Sequence, residues 1–197
     1  QEEIIKNWNH NEDPTVSISC ITYNHENSIE RSIKSFLSQE TEFKFEILIT
    51  DDASNDKTKQ IIKKYEELYP KIIFPIYRKK NTFRQGYQPH ESNFIRAKGD
   101  FVALCDGDDY WNKSYKLQYQ ITEMKKQNCD VSFHGVEIYN AKLNFSFLKV
   151  PSNQIKKYSV NEIIFYGHKL YTSTVSTIIK NSIIKNLPNF YSDAPTE

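Results

Sequence analysis

Apolar residues along this chain switch repeatedly between a two-residue and a three-to-four-residue period, which is the alternation of strand and helix. Val16, Ile18 and Cys20 predict a strand that stops at Tyr23-Asn24, and Ile29, Ile33, Phe36 and Leu37 then recur at helical spacing. Phe43, Phe45, Ile47 and Ile49 predict a second strand ending at Asp51-Asp52. Ile61, Ile62, Tyr65 and Leu68 form one face of a helix, with Ser54 or Asn55 as its expected N-cap. A third strand over 72–77 leads into a polar stretch, Arg78 to His90, that contains Gly86. A helix near 91–98 is expected to stop at Gly99.

The fourth strand, Phe101-Val102-Ala103-Leu104-Cys105, is apolar throughout, as suits a strand covered on both faces at the centre of a parallel sheet. It runs straight into Asp106-Gly107-Asp108-Asp109-Tyr110-Trp111, and Leu117, Ile121 and Met124 mark the next helix. Beyond Asp130 the pattern becomes less regular. Val131, Phe133, Val136 and Ile138 read as one strand with a bulge at Gly135, Ser159 to Glu162 is a capping box, and 174–180 alternates as a last strand. These elements predict an α/β fold. Its Rossmann-like, mostly parallel central sheet is flanked by helices, and a smaller mixed part follows.

Composition narrows the class. With 197 residues and 38% hydrophobic positions, the chain can bury one core, and a single domain over 1–197 is expected. No apolar run approaches the roughly 20 residues of a membrane span, and the first residues are too polar for a signal peptide, so a soluble protein is expected. A net charge of +1 argues against a nucleic-acid partner. Cys20, Cys105 and Cys129 have no metal or redox spacing and read as reduced, mostly buried thiols, which suits a cytoplasmic location.

Open α/β sheets bind ligands beyond the C-terminal ends of their strands. The unusual polar residues collect there: Thr22-Tyr23-Asn24, Asp51-Asp52, and the acids Asp106, Asp108 and Asp109. Crowded carboxylates repel one another, and a divalent cation such as Mn²⁺ or Mg²⁺ offsets that cost while accepting phosphate oxygens. The competing reading makes the acids turn formers that cap the following helix. Tyr110 and Trp111 are equally open to two roles, a sugar-stacking face or an anchor for the acidic loop.

The combination of strand-TYN, strand-DDASND and AKGDFVALCDGDDYW resembles the GT-A-fold glycosyltransferases of family 2, in particular bacterial enzymes of surface polysaccharide and O-antigen synthesis. The resemblance implies a UDP-sugar donor, a saccharide or polyprenyl-diphosphate-linked acceptor, and metal-dependent transfer with inversion. It implies that Thr22, Tyr23 and Asn24 line the nucleotide pocket and that Asp52 hydrogen-bonds the uracil edge. Asp106 and Asp108 become the D-x-D pair, with Asp108 and Asp109 at the metal. A basic residue after the third strand, Arg78, Lys79 or Arg84, meets the diphosphate. Residues 1–111 then form the donor half and 112–197 the acceptor half, where His134, Tyr171, Thr172 and Ser173 are candidate saccharide contacts; the competing and favoured reading gives them structural roles, a hydrogen-bonded core histidine and hydroxyls serving strand edges.

The general base of the resembling enzymes is expected just beyond Glu197, with Asp193 and Glu197 as in-chain substitutes. The missing first Met and this missing base suggest a piece of a longer enzyme, with a donor-binding but inactive scaffold as the alternative. A nucleotidyltransferase would carry a Gly-rich basic loop where this chain has Thr22-Tyr23-Asn24-His25-Glu26. A phosphoacceptor signalling module would place its acids after the first and third strands. A lipid-linked acceptor would bring the protein to the inner face of the cell membrane, where its dispersed lysine pairs meet anionic lipid.

Overall fold

The computed structural model describes residues 2–6, 8, 12–83, 90–140, 144–149, 154–166 and 172–186. The elements, in chain order, begin with α1 (Glu2–Ile5), β1 (Val16–Thr22), α2 (Ile29–Leu37), β2 (Phe45–Asp51), α3 (Thr58–Leu68) and β3 (Ile73–Tyr77). They continue with α4 (Glu91–Arg96), β4 (Phe101–Leu104), α5 (Lys116–Gln127), β5 (Val131–Ser132), β6 (Val136–Asn140) and β7 (Phe145–Lys149). The last are α6 (Val160–Tyr166), β8 (Ile178–Lys180) and α7 (Asn181–Ile184).

Six strands form one sheet in the order β3-β2-β1-β4-β8-β5. The first four run parallel, β8 is antiparallel to β4, and β5 is antiparallel to β8. Strand order reverses between β1 and β4, and a ligand crevice opens at the C-terminal ends of such strands. Thr22 ends β1 and Asp106 follows β4, so the topology alone brings the two together.

Both faces of β1 and β2 are buried, which the alternation of β1 did not suggest. Ile18, Cys20, Ile33, Phe36, Phe45 and Ile47 pack in the main core, and Trp8 meets Phe45 edge-on at 4.9 Å. The polar face of β1 is buried against polar partners. Ser17 donates to Glu46 at 2.6 Å and accepts from the Gly99 amide at 2.9 Å. A Cβ on Gly99 would lie 2.5 Å from the Ser17 amide nitrogen, so this glycine lets the turn into β4 press against β1. That is its function here, since α4 already ends at Arg96.

Four further expectations change. The α3 helix starts at Thr58 and its first amide is taken by Asp56 Oδ1 at 2.9 Å, leaving Ser54 and Asn55 to brace the preceding turn. Gly135 does not make a bulge; it separates β5, on the main sheet, from β6, which pairs with β7 in a hairpin of its own. Residues 174–180 are a 3-10 turn (Thr174–Ser176) followed by the short β8. The aspartates after β4 cap no helix, because α5 begins only at Lys116. The capping box is present, with Ser159 and Glu162 exchanging hydrogen bonds of 2.7, 2.8 and 3.3 Å.

Candidate functional site

The residues 106–111 that follow β4 are held by one polar stripe on α2. Ser28 donates to the Gly107 carbonyl at 3.0 Å, and the single hydroxyl proton of Ser32 is shared between the Gly107 carbonyl, also at 3.0 Å, and the Asp109 carbonyl. Ser35 Oγ accepts the Trp111 amide at 3.1 Å, while Gln39 bridges the Lys113 carbonyl and the Leu117 amide. Ser32 and Ser35 lie on α2, with Ser28 at its N-cap and Gln39 just past its C-terminal end, and the four recur at helical spacing. On the opposite side, the Gly107 amide donates to the Ile21 carbonyl at 2.8 Å. A Cβ on Gly107 would lie 2.5 Å from Thr22 Oγ1, so only glycine lets the acidic turn close on the end of β1.

This scaffold gathers Asp106, Asp108 and Asp109 so that one oxygen of each lies within 4.8 Å of the others. Burial first, and then the charges of Asp108 and Asp106, push the Asp109 carboxyl up to about 6. Asp108 is largely exposed, with His25 Nε2 3.9 Å away. Asp106 accepts from Thr174 at 3.2 Å through Oδ2, and its Oδ1 faces His90 Nε2 at 3.4 Å. Asp106 Oδ1 is buried without a hydrogen-bond partner among the described residues. Three converging carboxylates, one with an oxygen lacking a partner and one raised in pKa, fit a hard divalent cation.

Tyr23 is half-buried and Asn24 exposed beside this cluster. Asn24 adopts a left-handed backbone, φ 55°, and ties the β1 end to the Asp51–Asp56 turn. Its amide donates to Ser54 and its side chain accepts from the Asn55 amide, both at 2.9 Å. Asp52, expected at a uracil edge, is engaged by the protein. It accepts from the Thr82 and Phe83 amides at 2.9 to 3.0 Å, from the Thr82 hydroxyl at 2.7 Å and from Arg78 at 3.3 Å. Burial opposes its charge, yet these donors outweigh burial and hold the carboxyl below the usual range.

Arg78 spans Asp52, Thr82 and Ser92, so it braces the loop that follows β3. Arg84, Tyr171, Asp193 and Glu197 lie outside the described residues. Trp111 resolves the two roles open to it: it is buried, packs 5.0 Å from Phe36 and donates to the Val175 carbonyl at 2.8 Å. Tyr110 is exposed and carries Arg31 on its ring at 4.1 Å. Beyond Asp108 and Asp109 a cavity of about 1200 Å³ opens between α5, β6 and α6, and His134 and Ser173 line it. Cys20 and Cys105 are buried, and desolvation pushes both thiols well up. His90, Thr174 and the α2 serines were missed in the sequence because only the folded chain brings them to the acids.

The family model described as "Glycosyl transferase family 2" matches residues 17–187. An uncharacterised protein of Mycobacterium tuberculosis is 38% identical over 125 residues, 62% of this chain and 35% of its own length. The UDP-Glc:alpha-D-GlcNAc-diphosphoundecaprenol beta-1,3-glucosyltransferase WfgD of Escherichia coli is 32% identical over 130 residues, 66% of this chain and 48% of that protein. The crystal structure of Staphylococcus aureus TarS in complex with UDP-GlcNAc superimposes with a TM-score of 0.66 and 25% identity, over 87% of this chain and 47% of that one. The chain thus spans from about a quarter to a half of the length of these proteins, 28% in the case of full-length TarS.

Proposed function

The chain belongs to glycosyl transferase family 2, and from that premise we propose that it acts in an inverting glycosyltransferase, with both a donor side and an acceptor side. This enzyme moves a hexose or N-acetylhexosamine from a UDP-sugar to a saccharide or polyprenyl-diphosphate-linked saccharide. The observation that carries the reading is the convergence of Asp106, Asp108 and Asp109 at the point where strand order reverses. WfgD, a glucosyltransferase named for UDP-Glc and a GlcNAc-diphosphoundecaprenol, and TarS, a poly(ribitol-phosphate) N-acetylglucosaminyltransferase, support the donor and acceptor classes.

In this reading residues 1–111 hold the donor and 112–197 face the acceptor. Thr22, Tyr23 and Asn24 border the nucleoside, and Asp52 with Arg78 shapes its pocket through the loop after β3. Asp108 and Asp109 are the metal ligands of this account, and Asp106 supports them. Mn²⁺ or Mg²⁺, when bound, supplies a Lewis acid that neutralises charge on the departing diphosphate. Asp108, being exposed, is free to turn toward the diphosphate. Of the residues after β3, Lys79 and Arg84 remain the candidates for the diphosphate, because Arg78 is engaged by Asp52 and Ser92.

The proton of the acceptor hydroxyl passes to a carboxylate on the opposite side of the sugar. That base lies at Asp193 or Glu197, or in the chain that follows them in a longer protein. A lipid-linked acceptor sets the enzyme at the inner face of the membrane; no helix among the described residues is long and apolar enough to cross one. The test is a panel of UDP-sugars assayed for hydrolysis and transfer on this chain and on one extended at its C-terminus. Mn²⁺-dependent turnover of one sugar by the longer chain is expected. Turnover of none, with nucleoside triphosphates consumed in its place, would contradict it.

A further inference from the structure

The carboxylate of Asp106 faces the imidazole of His90, with Oδ1 3.4 Å from Nε2. The imidazole is largely buried and stacks on Phe94 with ring centroids 5.6 Å apart. Its Nδ1 lies 2.8 Å from Ser19 Oγ, and Ser19 Oγ in turn accepts from Asn93 Nδ2 at 3.0 Å. Asn93 is fully buried; the two protons of its amide nitrogen are shared among Ser19 Oγ and the Cys20 and Leu48 carbonyls, while its own oxygen accepts from Thr50 and Arg96. The amide is therefore locked with its nitrogen toward Ser19.

Asn93 Nδ2 can only donate, so of the two side-chain groups that meet Ser19 Oγ only His90 Nδ1 can accept the hydroxyl proton. That assigns the proton of the neutral imidazole to Nε2, the atom that faces Asp106 Oδ1 at 3.4 Å. Neither His90 Nε2 nor Asp106 Oδ1 has a hydrogen-bond partner among the described residues, and both are cut off from solvent. A shift of a few tenths of an ångström joins them, and hydrogen bonds of unliganded sites commonly tighten in this way on binding.

We propose that His90 is a positioning residue: the chain Asn93-Ser19-His90 holds an N–H on Asp106 Oδ1. The hydrogen bond fixes the plane of the carboxylate and leaves Oδ2, with Thr174 beside it, toward the metal-diphosphate. The proposal rests on reading Asp106, Asp108 and Asp109 as a cation site, and partners of this kind are worth about 10–100-fold in metal affinity.

Two isosteric substitutions separate positioning from simple space filling. The amide nitrogen of His90→Gln falls near the place of Nε2 and can still donate to Asp106, whereas that of His90→Asn falls near Nδ1 and cannot. Mn²⁺ affinity would be measured in the presence of UDP, by the electron paramagnetic resonance signal of free Mn²⁺. His90→Asn should weaken binding by about 10–100-fold, His90→Gln by no more than about threefold, and Ser19→Ala by an intermediate factor. Nitrogen NMR of wild-type His90 should show a protonated Nε2 and an unprotonated Nδ1. Equal losses in the two His90 variants, binding by His90→Asn within about twofold of wild type, or a protonated Nδ1 would each overturn the proposal. Wild-type protein that binds neither Mn²⁺ nor UDP would overturn the cation site itself, and the tautomer would still be decided by NMR.

Discussion

Replacing Asp109 with Asn should make the metal-free protein more stable, by an amount that depends on pH in a defined way. In the folded chain burial, Asp108 and Asp106 raise this carboxyl from 3.8 to about 6. Between those pH values the folded state keeps a proton that the unfolded chain has released, so wild-type stability falls as pH rises through the window. The full difference is worth about 3 kcal/mol, at roughly 1.36 kcal/mol per pH unit. Asp109 is only half-buried, and screening trims the expected gain of Asp109→Asn to about 2 kcal/mol at pH 8. Urea unfolding in EDTA reads it directly: the variant and wild type should coincide near pH 3.5 and separate between pH 4 and 6. Saturating Mn²⁺ should then stabilise wild type by about 2.7 kcal/mol at a hundred times its dissociation constant. The variant, one ligand short, should gain less. A variant that is less stable than wild type at pH 8 in EDTA, or a gain that is the same at pH 3.5, would refute the view that these acids are held together against their own repulsion.

Gly107→Ala should cost about 1–3 kcal/mol of stability and weaken Mn²⁺-UDP binding at least about tenfold, because the new Cβ meets the buried Thr22; calorimetry and urea unfolding check both. Ser32→Ala removes the donor shared by the Gly107 and Asp109 carbonyls and should cost about 1–2 kcal/mol in urea unfolding. Lys116 is pushed down to about 7 by burial, so wild-type stability should rise from pH 7 toward pH 10 as the unfolded chain alone stays protonated. Lys116→Met should therefore stabilise the protein most at pH 7 and least at pH 10 in thermal melts, with the Trp111 ring 3.9 Å from the ammonium offsetting part of the gain.

The parallel half of the sheet was legible because its strands and helices carry strong, clean periods. The apolar runs of β1 and β4 end within a residue or two at Asn24 and Asp106, and Ile29, Ile33 and Phe36 can face only one way on a helix. The second half was less legible for a physical reason. Strand β7 is exposed along its whole length, so its Phe145 and Phe147 mark a hairpin face and not a core. Gly135 looked like a bulge because a period of two survives a change of sheet, and only the pairing distinguishes them.

The acids of the site were legible as a cluster, but their supports were not. Ser19 and His90 are 71 residues apart, and the hydroxyl of Thr174 reaches Asp106 across 68. Asp52 shows the opposite limit. Its position at a strand end was read correctly, while its commitment to the Thr82 and Phe83 amides needed the loop's backbone path.

The central claim is that Asp106, Asp108 and Asp109 bind a nucleotide diphosphate through a divalent cation. Isothermal titration of UDP into the protein, with and without Mn²⁺, tests it most directly. The account predicts binding that requires Mn²⁺ and is abolished in Asp108→Ala, whose circular dichroism and melting profile remain those of a folded protein. UDP affinity that is the same with and without Mn²⁺, or unchanged in Asp108→Ala, would contradict it.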